Sequence, residues 1–435
     1  MTERVVVLGA GQAAQSLIES ARAAGFEGPI TLVGDEPVPP YQRPPLSKGY
    51  LLGETTVERL GLRPRSFYDT AGVELRLAAR AVAIDRAARQ VALADGARLP
   101  YDKLALTLGS QARRLPERMG GAAAGVYAVR TLADVDDMAP EFAAGRRALI
   151  VGGGYIGLEA AAVARKLGLE VTLIEREPRI LARVACEETA SYFRALHEGE
   201  GVELLEGAAL ERLEIGAEGR VSGGVLTDGR RLAADFAIIG VGAAPNDAIA
   251  AEAGLAVGDP AMGGGIQVGA DCRTSDPDIL AAGDVARIEH QGASIRLESV
   301  QNAIDQGAVA GRVIAGEAAL YAPKPWFWSD QYDVKLQIAG LFRVGERAAD
   351  LIVSRPGARE GAREGARSIW SFQSGAGGAP ARLMAVDAMN DAKAYMTGKR
   401  WIEAGLSPDP AALGDPAAEL KSLETQPTPA PSSGA

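Results

Sequence analysis

Apolar residues in this chain gather in short runs that end on glycine, and the runs open stretches whose apolar positions recur every three or four residues. The first, VVVLGAG at residues 5–11, is followed by helical spacing over 12–24 and by a second run, ITLVG, that stops at Asp35. The order returns over 148–176, where ALIVGGG precedes YIGLEAAAVARKLG and then EVTLIE, which stops at Glu175. Short apolar runs bounded by glycine read as buried strands, and the spacing between them as an amphipathic helix. Each stretch therefore predicts a strand–helix–strand unit.

After each unit the period changes to two. Residues 73–109 alternate around Asp95-Gly96 and residues 223–242 around Asp228-Gly229, pairs that favour a tight hairpin. The strands that follow, 104–108 and 236–241, run into Gly109 and Gly242. Two copies of unit, hairpin and returning strand predict an internal duplication, visible in the order of elements. A further apolar run, ILAAGDV, ends in Gly283-Asp284 and precedes helical spacing over 298–315. Past Pro323 the texture changes: Trp326, Phe327, Trp328 and Tyr332 crowd into seven residues, then alternating strands lead to a helix over 391–404. This reads as a small antiparallel sheet with a helix. RPGAREGAREGAR (355–367) is a low-complexity segment expected to be a mobile loop, and the last ten residues, QPTPAPSSGA, a disordered tail.

The glycines turn this outline into candidate chemistry. Gly9-x-Gly11-x-x-Ala14 and Gly152-x-Gly154-x-x-Gly157 each sit between a strand and a helix. That spacing supplies a tight turn, a close backbone approach to a pyrophosphate and close packing of helix on strand, with the helix N-terminus facing the phosphates. Asp35 and Glu175 stand where an acid can accept from ribose hydroxyls. A carboxylate there repels a 2′-phosphate, so Glu175 favours NADH over NADPH, although a swung-in Arg176 would tolerate the phosphate. The expected fold is α/β: two Rossmann-like dinucleotide-binding domains, 1–112 with 245–322 and 113–244, a small C-terminal α+β domain at 323–410, and a tail from 411.

The loop PPYQRPPLSK carries four prolines in residues 39–48, which excludes a helix interior or central strand and predicts a rigid loop holding Arg43 and Lys48. A chain of 435 residues accommodates several cores, and a net charge of −10 argues against nucleic acid or an anionic membrane as partner. MTERVVVLGAG enters a strand directly, without a basic and then apolar leader, so a cytoplasmic location is expected. Cys186 and Cys272 form no CxxC pair and are expected to be inert. With two histidines, His197 and His290, no catalytic triad or metal cluster can be assembled, and both read as surface or packing residues.

Three stretches narrow the picture: Arg43-Pro-Pro-Leu-Ser-Lys48, Gly152-Gly-Gly-Tyr-Ile-Gly-Leu-Glu159 and Trp326-Phe-Trp-Ser-Asp-Gln-Tyr332. With the two nucleotide folds, whose architecture is glutathione-reductase-like, they resemble the putidaredoxin reductase-like ferredoxin reductases of cytochrome P450 and ring-hydroxylating dioxygenase systems. The resemblance implies FAD on the first fold, met by Gly9, Gly11, Ala13 and Ala14 at the pyrophosphate and by Asp35 at the ribose. It places Arg43 and Lys48 towards the pyrophosphate and isoalloxazine, the Val82 backbone by the adenine, and Arg130 by the diphosphate. Asp284 falls on the ribityl chain and Val300 on the flavin carbonyl edge. For NADH it implies Gly152, Gly154, Ile156, Gly157, Glu159, Glu175, Arg183 and Gly242.

The same resemblance implies hydride transfer from NADH to FAD and single-electron transfer to a [2Fe–2S] ferredoxin. That is the activity of an FAD-dependent NAD(P)H:ferredoxin oxidoreductase, monomeric or weakly dimeric. Lys48, Glu159 and Trp328 are the residues expected to act at the flavin. Glu159 also reads as a first-turn helix acid steadied by the helix dipole, and Trp328 as core packing of the third domain. A flavin NADH oxidase or rubredoxin-type reductase is the alternative within enzymes. An apoptosis-inducing-factor-like, dinucleotide-responsive flavoprotein is the alternative outside them.

Overall fold

A computed structural model describes residues 3–357, 365–375 and 380–427. It divides into two compact units: Met1–Gln42, Thr56–Gln111 and Ala243–Pro325 form one, and Arg43–Thr55, Ala112–Gly242 and Trp326–Ala435 the other. The proline-rich loop is thus cut. Its first residues belong to the first unit, while Arg43 and Lys48 lie in the second.

The first unit is built on a parallel sheet in the order Ile279–Ala281, Lys103–Leu106, Val5–Leu8, Ile30–Val33, Val73–Arg76. Val5–Leu8 is fully buried at the centre, which is why its four residues are all aliphatic. An antiparallel sheet of Ala81–Asp85, Gln90–Leu93 and Arg98–Pro100 carries the Asp95-Gly96 hairpin. Helices Gln12–Ala23 and Val300–Ile314 cross tightly because glycines line the contact. A Cβ on Gly307 would lie 2.4 Å from the Ala13 carbonyl oxygen, and one on Gly311 would lie 2.3 Å from that of Leu17. The Ser16 hydroxyl donates to the Ile304 carbonyl at 2.6 Å.

The second unit repeats the plan. Its parallel sheet runs Val202–Glu206, Glu170–Glu175, Arg147–Val151, Phe236–Ile239, Val126–Tyr127, again with the glycine-terminated strand central. The Asp228-Gly229 hairpin joins Val221–Leu226 to Arg231–Ala233 in a three-stranded sheet. The same unit holds an antiparallel sheet in the order Trp326–Gln331, Val334–Gly340, Arg382–Met389, Arg367–Gln373, Leu351–Pro356. Helix Ala392–Glu403 packs on it through Gly398, whose missing Cβ makes room for Val386 and Trp370.

Two expectations are corrected here. The tail expected from residue 411 is folded as far as residue 427, with 428–435 of the expected disordered end lying outside the described residues: helix Pro410–Gly414 buries Leu413, a short turn buries Leu420, and Thr425–Pro427 pairs with Leu406–Pro408. Apolar side chains spaced through a polar segment supplied enough burial to order it, and Gln426 and Pro427 of the expected disordered end are in that strand. Secondly, the rigid loop contains a short 3-10 helix, Pro44–Ser47, because proline is tolerated in a first helical turn. The expected mobile loop falls mostly on 358–364, outside the described residues. Among the described residues no helix is long and apolar enough to cross a membrane.

Candidate functional site

The two fingerprints show why each glycine is there. Gly9 and Gly152 have φ of +102° and +113°, and a Cβ on either would strike the backbone of the returning strand's end, Thr107 or Gly240. Those glycines serve the turn. Ala14 is fully buried, and a Cβ on Gly157 would lie 2.0 Å from the Gly152 carbonyl oxygen, so the third position serves packing. Gly11 and Gly154 differ: a Cβ on either meets nothing within 4 Å. No neighbour within the fold requires a glycine there. Both are N-caps of helices, Gln12–Ala23 and Tyr155–Lys166, and neither helix has a side-chain cap for its first-turn N–H groups. Open space before uncapped donors is what an anionic pyrophosphate needs.

In the first unit these donors have company. A Cβ on Gly283 would lie 3.1 Å from that of Ala13 and 3.6 Å from that of Ala303, so Gly283-Asp284 borders the starts of both crossing helices. Asp284 is half-buried and accepts from the Ser110 hydroxyl at 3.0 Å. The Gln306 amide oxygen accepts from the Gly283 N–H at 2.8 Å and holds that turn. Ser299 caps Val300–Ile314 by accepting from Asn302 N–H, which is not the Val300 donor. Asp35 is exposed just past Ile30–Val33, and Val82 is an exposed residue of Ala81–Asp85. Gly9, Gly11, Ala13, Ala14, Asp284 and Val300 thus gather around one helix-start region.

In the second unit Glu175 ends its strand against the glycine turn. Its Oε2 accepts from Gly153 N–H at 2.6 Å and its Oε1 from Glu177 N–H at 2.8 Å. Arg176 points elsewhere, into an exposed pair with Glu177 at 2.9 Å. Ile156, in the first turn of the helix, is 43% exposed although its neighbours Gly157 and Leu158 are buried. Gly242, with φ of +98° and nothing within 4 Å of a Cβ, ends the returning segment. Arg183 is exposed and close enough to Tyr155 to act on its hydroxyl.

Lys48 and Glu159, 111 residues apart, form an ion pair of 2.6 Å within this unit. Glu159 is 3% exposed and is the fifth residue of helix Tyr155–Lys166, past its first turn, which corrects the reading of it as a first-turn acid steadied by the dipole. Its Oε2 also accepts from the Ser47 hydroxyl at 2.6 Å, and its Oε1 from the Ser329 hydroxyl at 2.7 Å. A charge taken out of water is tolerated only when paired and hydrogen-bonded, and this carboxylate has three side-chain donors. Arg43 donates to the Arg130 carbonyl at 2.7 Å, so those two also meet in the second unit. Trp326 packs on the C-terminal core, and the half-buried Trp328 stands two residues along the same strand with its ring centroid 5.5 Å from that of Trp326.

Sequence reasoning gave no role to Ser47, Ser329, Ser110 or Gln306. The first two stand inside stretches already singled out, but a serine announces no partner until the chain folds. His197 is fully buried, which removes the surface reading, and burial pushes its imidazole down to about 4. Cys186 and Cys272 are buried thiols that burial pushes up to about 11 and about 12, so they are not nucleophiles.

Two glycine turns, each between a central strand and a helix on duplicated folds, define the class of two-dinucleotide-fold oxidoreductases. The family described as pyridine nucleotide-disulphide oxidoreductase matches residues 3–307, and the one described as reductase C-terminal matches residues 326–424. The 5,5'-dehydrodivanillate O-demethylase ferredoxin reductase subunit of Sphingobium sp. (strain NBRC 103272 / SYK-6) is 38% identical over 96% of this chain and 97% of its own. A ferredoxin–NAD(P)(+) reductase of Sphingomonas sp. is 40% identical over 98% of each. Among solved structures, a chain of the covalent putidaredoxin reductase–putidaredoxin complex superposes with a TM-score of 0.88 at 35% identity, covering 96% of this chain and 97% of that one. The chain belongs to the pyridine nucleotide-disulphide oxidoreductase family and, within it, to the putidaredoxin reductase-like ferredoxin reductases. Membership implies a flavin and a nicotinamide nucleotide, and the open middle glycines Gly11 and Gly154 fit one on each fold.

Proposed function

We propose that this chain is an NADH-dependent ferredoxin reductase carrying FAD on the first unit and binding NADH on the second. Bound FAD would supply the step from two-electron hydride chemistry to single-electron transfer towards a [2Fe–2S] ferredoxin serving an oxygenase. The observation that carries the nucleotide assignment is the pair of fingerprints in which the middle glycine faces open space before uncapped helix donors. The ferredoxin is supported by relatives of full length that are named for that acceptor.

The protein's part is to hold and orient. Gly9, Gly11, Ala13 and Ala14 would take the FAD pyrophosphate, Asp35 the adenosine ribose and Asp284 the ribityl chain. The Val300 N–H, at a helix N-terminus, would favour negative charge on the flavin. The Val82 backbone would border the adenine, and Arg43 and Arg130, which meet in the second unit, would supply positive charge there. For NADH, Gly152, Gly154 and Gly157 would shape the pyrophosphate turn. Ile156 and Gly242 would border the nucleotide, Arg183 would meet its phosphates, and Glu175 would accept from the ribose. Glu175 already accepts from Gly153 N–H, which supports NADH over NADPH because a 2′-phosphate would face a held carboxylate. Lys48 and Glu159 would set the charge where the nicotinamide delivers its hydride, and Trp328 would cover a ring face.

Reduction of cytochrome c by NADH should be slow with the reductase alone and rise at least tenfold on adding a [2Fe–2S] ferredoxin, with kcat/KM for NADH well above that for NADPH. Activity independent of ferredoxin, or satisfied by rubredoxin instead, would overturn the acceptor. A preference for NADPH would overturn the role of Glu175.

A further inference from the structure

Behind Glu159 the hydrogen bonds continue. Ser329 Oγ accepts from Gln331 Nε2 at 3.1 Å, Gln331 Oε1 faces His197 Nε2 at 2.8 Å, and His197 Nδ1 faces the Tyr332 hydroxyl at 3.2 Å. Ser329, Gln331 and His197 are buried. The links come from the strand Trp326–Gln331, the turn after it, and helix Glu187–Gly199.

The direction of every bond follows from its neighbour. A carboxylate only accepts, so Ser329 donates its single proton to Glu159 and must itself accept from Gln331. The amide then turns its NH2 to Ser329 and its oxygen to His197, which must donate through Nε2–H. A neutral imidazole with Nε2–H has a bare Nδ1, and the Tyr332 hydroxyl donates to it. Burial outweighs the Gln331 bond and pushes His197 down to about 4, so the ring is neutral near neutral pH. Tyr332 sits at φ of +54°, a left-handed conformation unfavourable for a tyrosine, in the turn that presents its hydroxyl to His197. The rings meet edge to face with centroids 5.1 Å apart.

We propose that Tyr332, His197, Gln331 and Ser329 form a one-way donor chain that ends on Glu159 and keeps it an accepting carboxylate, which makes His197 a positioning residue for the Lys48–Glu159 pair. This rests on the reading that the pair acts at hydride transfer. Aligned donors polarise one another, so the chain favours negative charge at its end more than Ser329 would by itself. The charged and titratable groups around it are Lys48 on Glu159, Tyr155 on Glu159's own helix, and Glu200 and Arg165 near Tyr332. Asp387, bonded to Thr189 at 2.7 Å, is buried near Tyr155 but outside the chain.

The chain has only two histidines, so nitrogen NMR on the labelled holoenzyme can assign His197 once His290→Gln removes the other signal. His197 should show Nε2–H with a bare Nδ1, unchanged between about pH 5.5 and about pH 8, and Ser329→Ala should mix its tautomers. In single-turnover reduction by NADH, Ser329→Ala and His197→Phe should each lose roughly tenfold in rate relative to the wild type and to an Asp387→Asn control, the scale of one bond to a charged group. An Nδ1–H tautomer, a His197 that titrates in that range, or variants that keep the wild-type rate would overturn the proposal. Ser329→Ala keeps the question answerable if His197→Phe fails to fold. Unchanged reduction in Glu159→Gln would instead defeat the reading that Glu159 acts at the hydride, while the His197 tautomer would still report on the chain.

Discussion

Gly154 and Gly157 lie one helical turn apart, and a methyl group would mean different things at each. On Gly157 it would strike the Gly152 carbonyl oxygen, whereas on Gly154 it would enter open space. Gly157→Ala should therefore cost about 2 kcal/mol of stability through overpacking, read as a lower melting temperature. Gly154→Ala should melt like the parent and weaken NAD+ binding roughly tenfold, the scale of one lost hydrogen bond, read by titration. The glycine positions were legible in the sequence because their spacing states a geometry. Ser47 and Ser329 were not, although both stand in stretches picked out for other residues. A hydroxyl acquires its meaning from a carboxylate over 100 positions away (Glu159), and one-letter patterns carry no such distance.

At the level of elements, alternation and glycine punctuation located the central strands of both parallel sheets, both hairpins and the helix over 392–403 to within a few residues, because buried strands and helices repeat their apolar positions; the strands Val126–Tyr127 and Val202–Glu206 of the second sheet went unread. What they did not show is which helices touch. Gln12–Ala23 and Val300–Ile314 cross through Gly307 and Gly311, glycines that look like liabilities in an isolated helix. Gly311→Ala should improve helix propensity by about 1 kcal/mol and still lower the melting temperature, since its methyl group would press on the Leu17 carbonyl oxygen. The same variant should shed FAD more readily in gel filtration, because both helix starts border the first glycine turn. The segment after residue 410 was misread for a related reason: Leu413 and Leu420 are too sparse to show a period, and only the surface they cover explains their order.

For the molecule as a whole, two buried groups set opposing pH dependences. Burial pushes the Asp387 carboxyl up to about 6 from 3.8, despite the Thr189 hydrogen bond. Between those values the folded chain holds a proton that the unfolded chain has released, so stability rises as pH falls through that window. His197, pushed down to about 4 from 6.5, does the reverse: the unfolded chain binds its proton first, and stability falls over nearly the same range. The two contributions offset each other. Relative to wild type, His197→Gln should gain melting temperature on acidification from about pH 6.5 to about pH 4, and Asp387→Asn should lose it. The duplication itself was legible at this scale, since both halves keep their glycine-ended strand at the sheet centre. The assignment of residues 43–55 to the second unit was not, because it depends on packing rather than on order along the chain.

The carboxamide of Gln331 has one more consequence. Hydroxyls and imidazoles can hand a proton on, but an amide that gave one up or took one would leave itself in an unstable form. It transmits polarisation while blocking conduction. The line of donors behind Glu159 is therefore a capacitor rather than a wire: it holds charge in place and lets none of it leak inward.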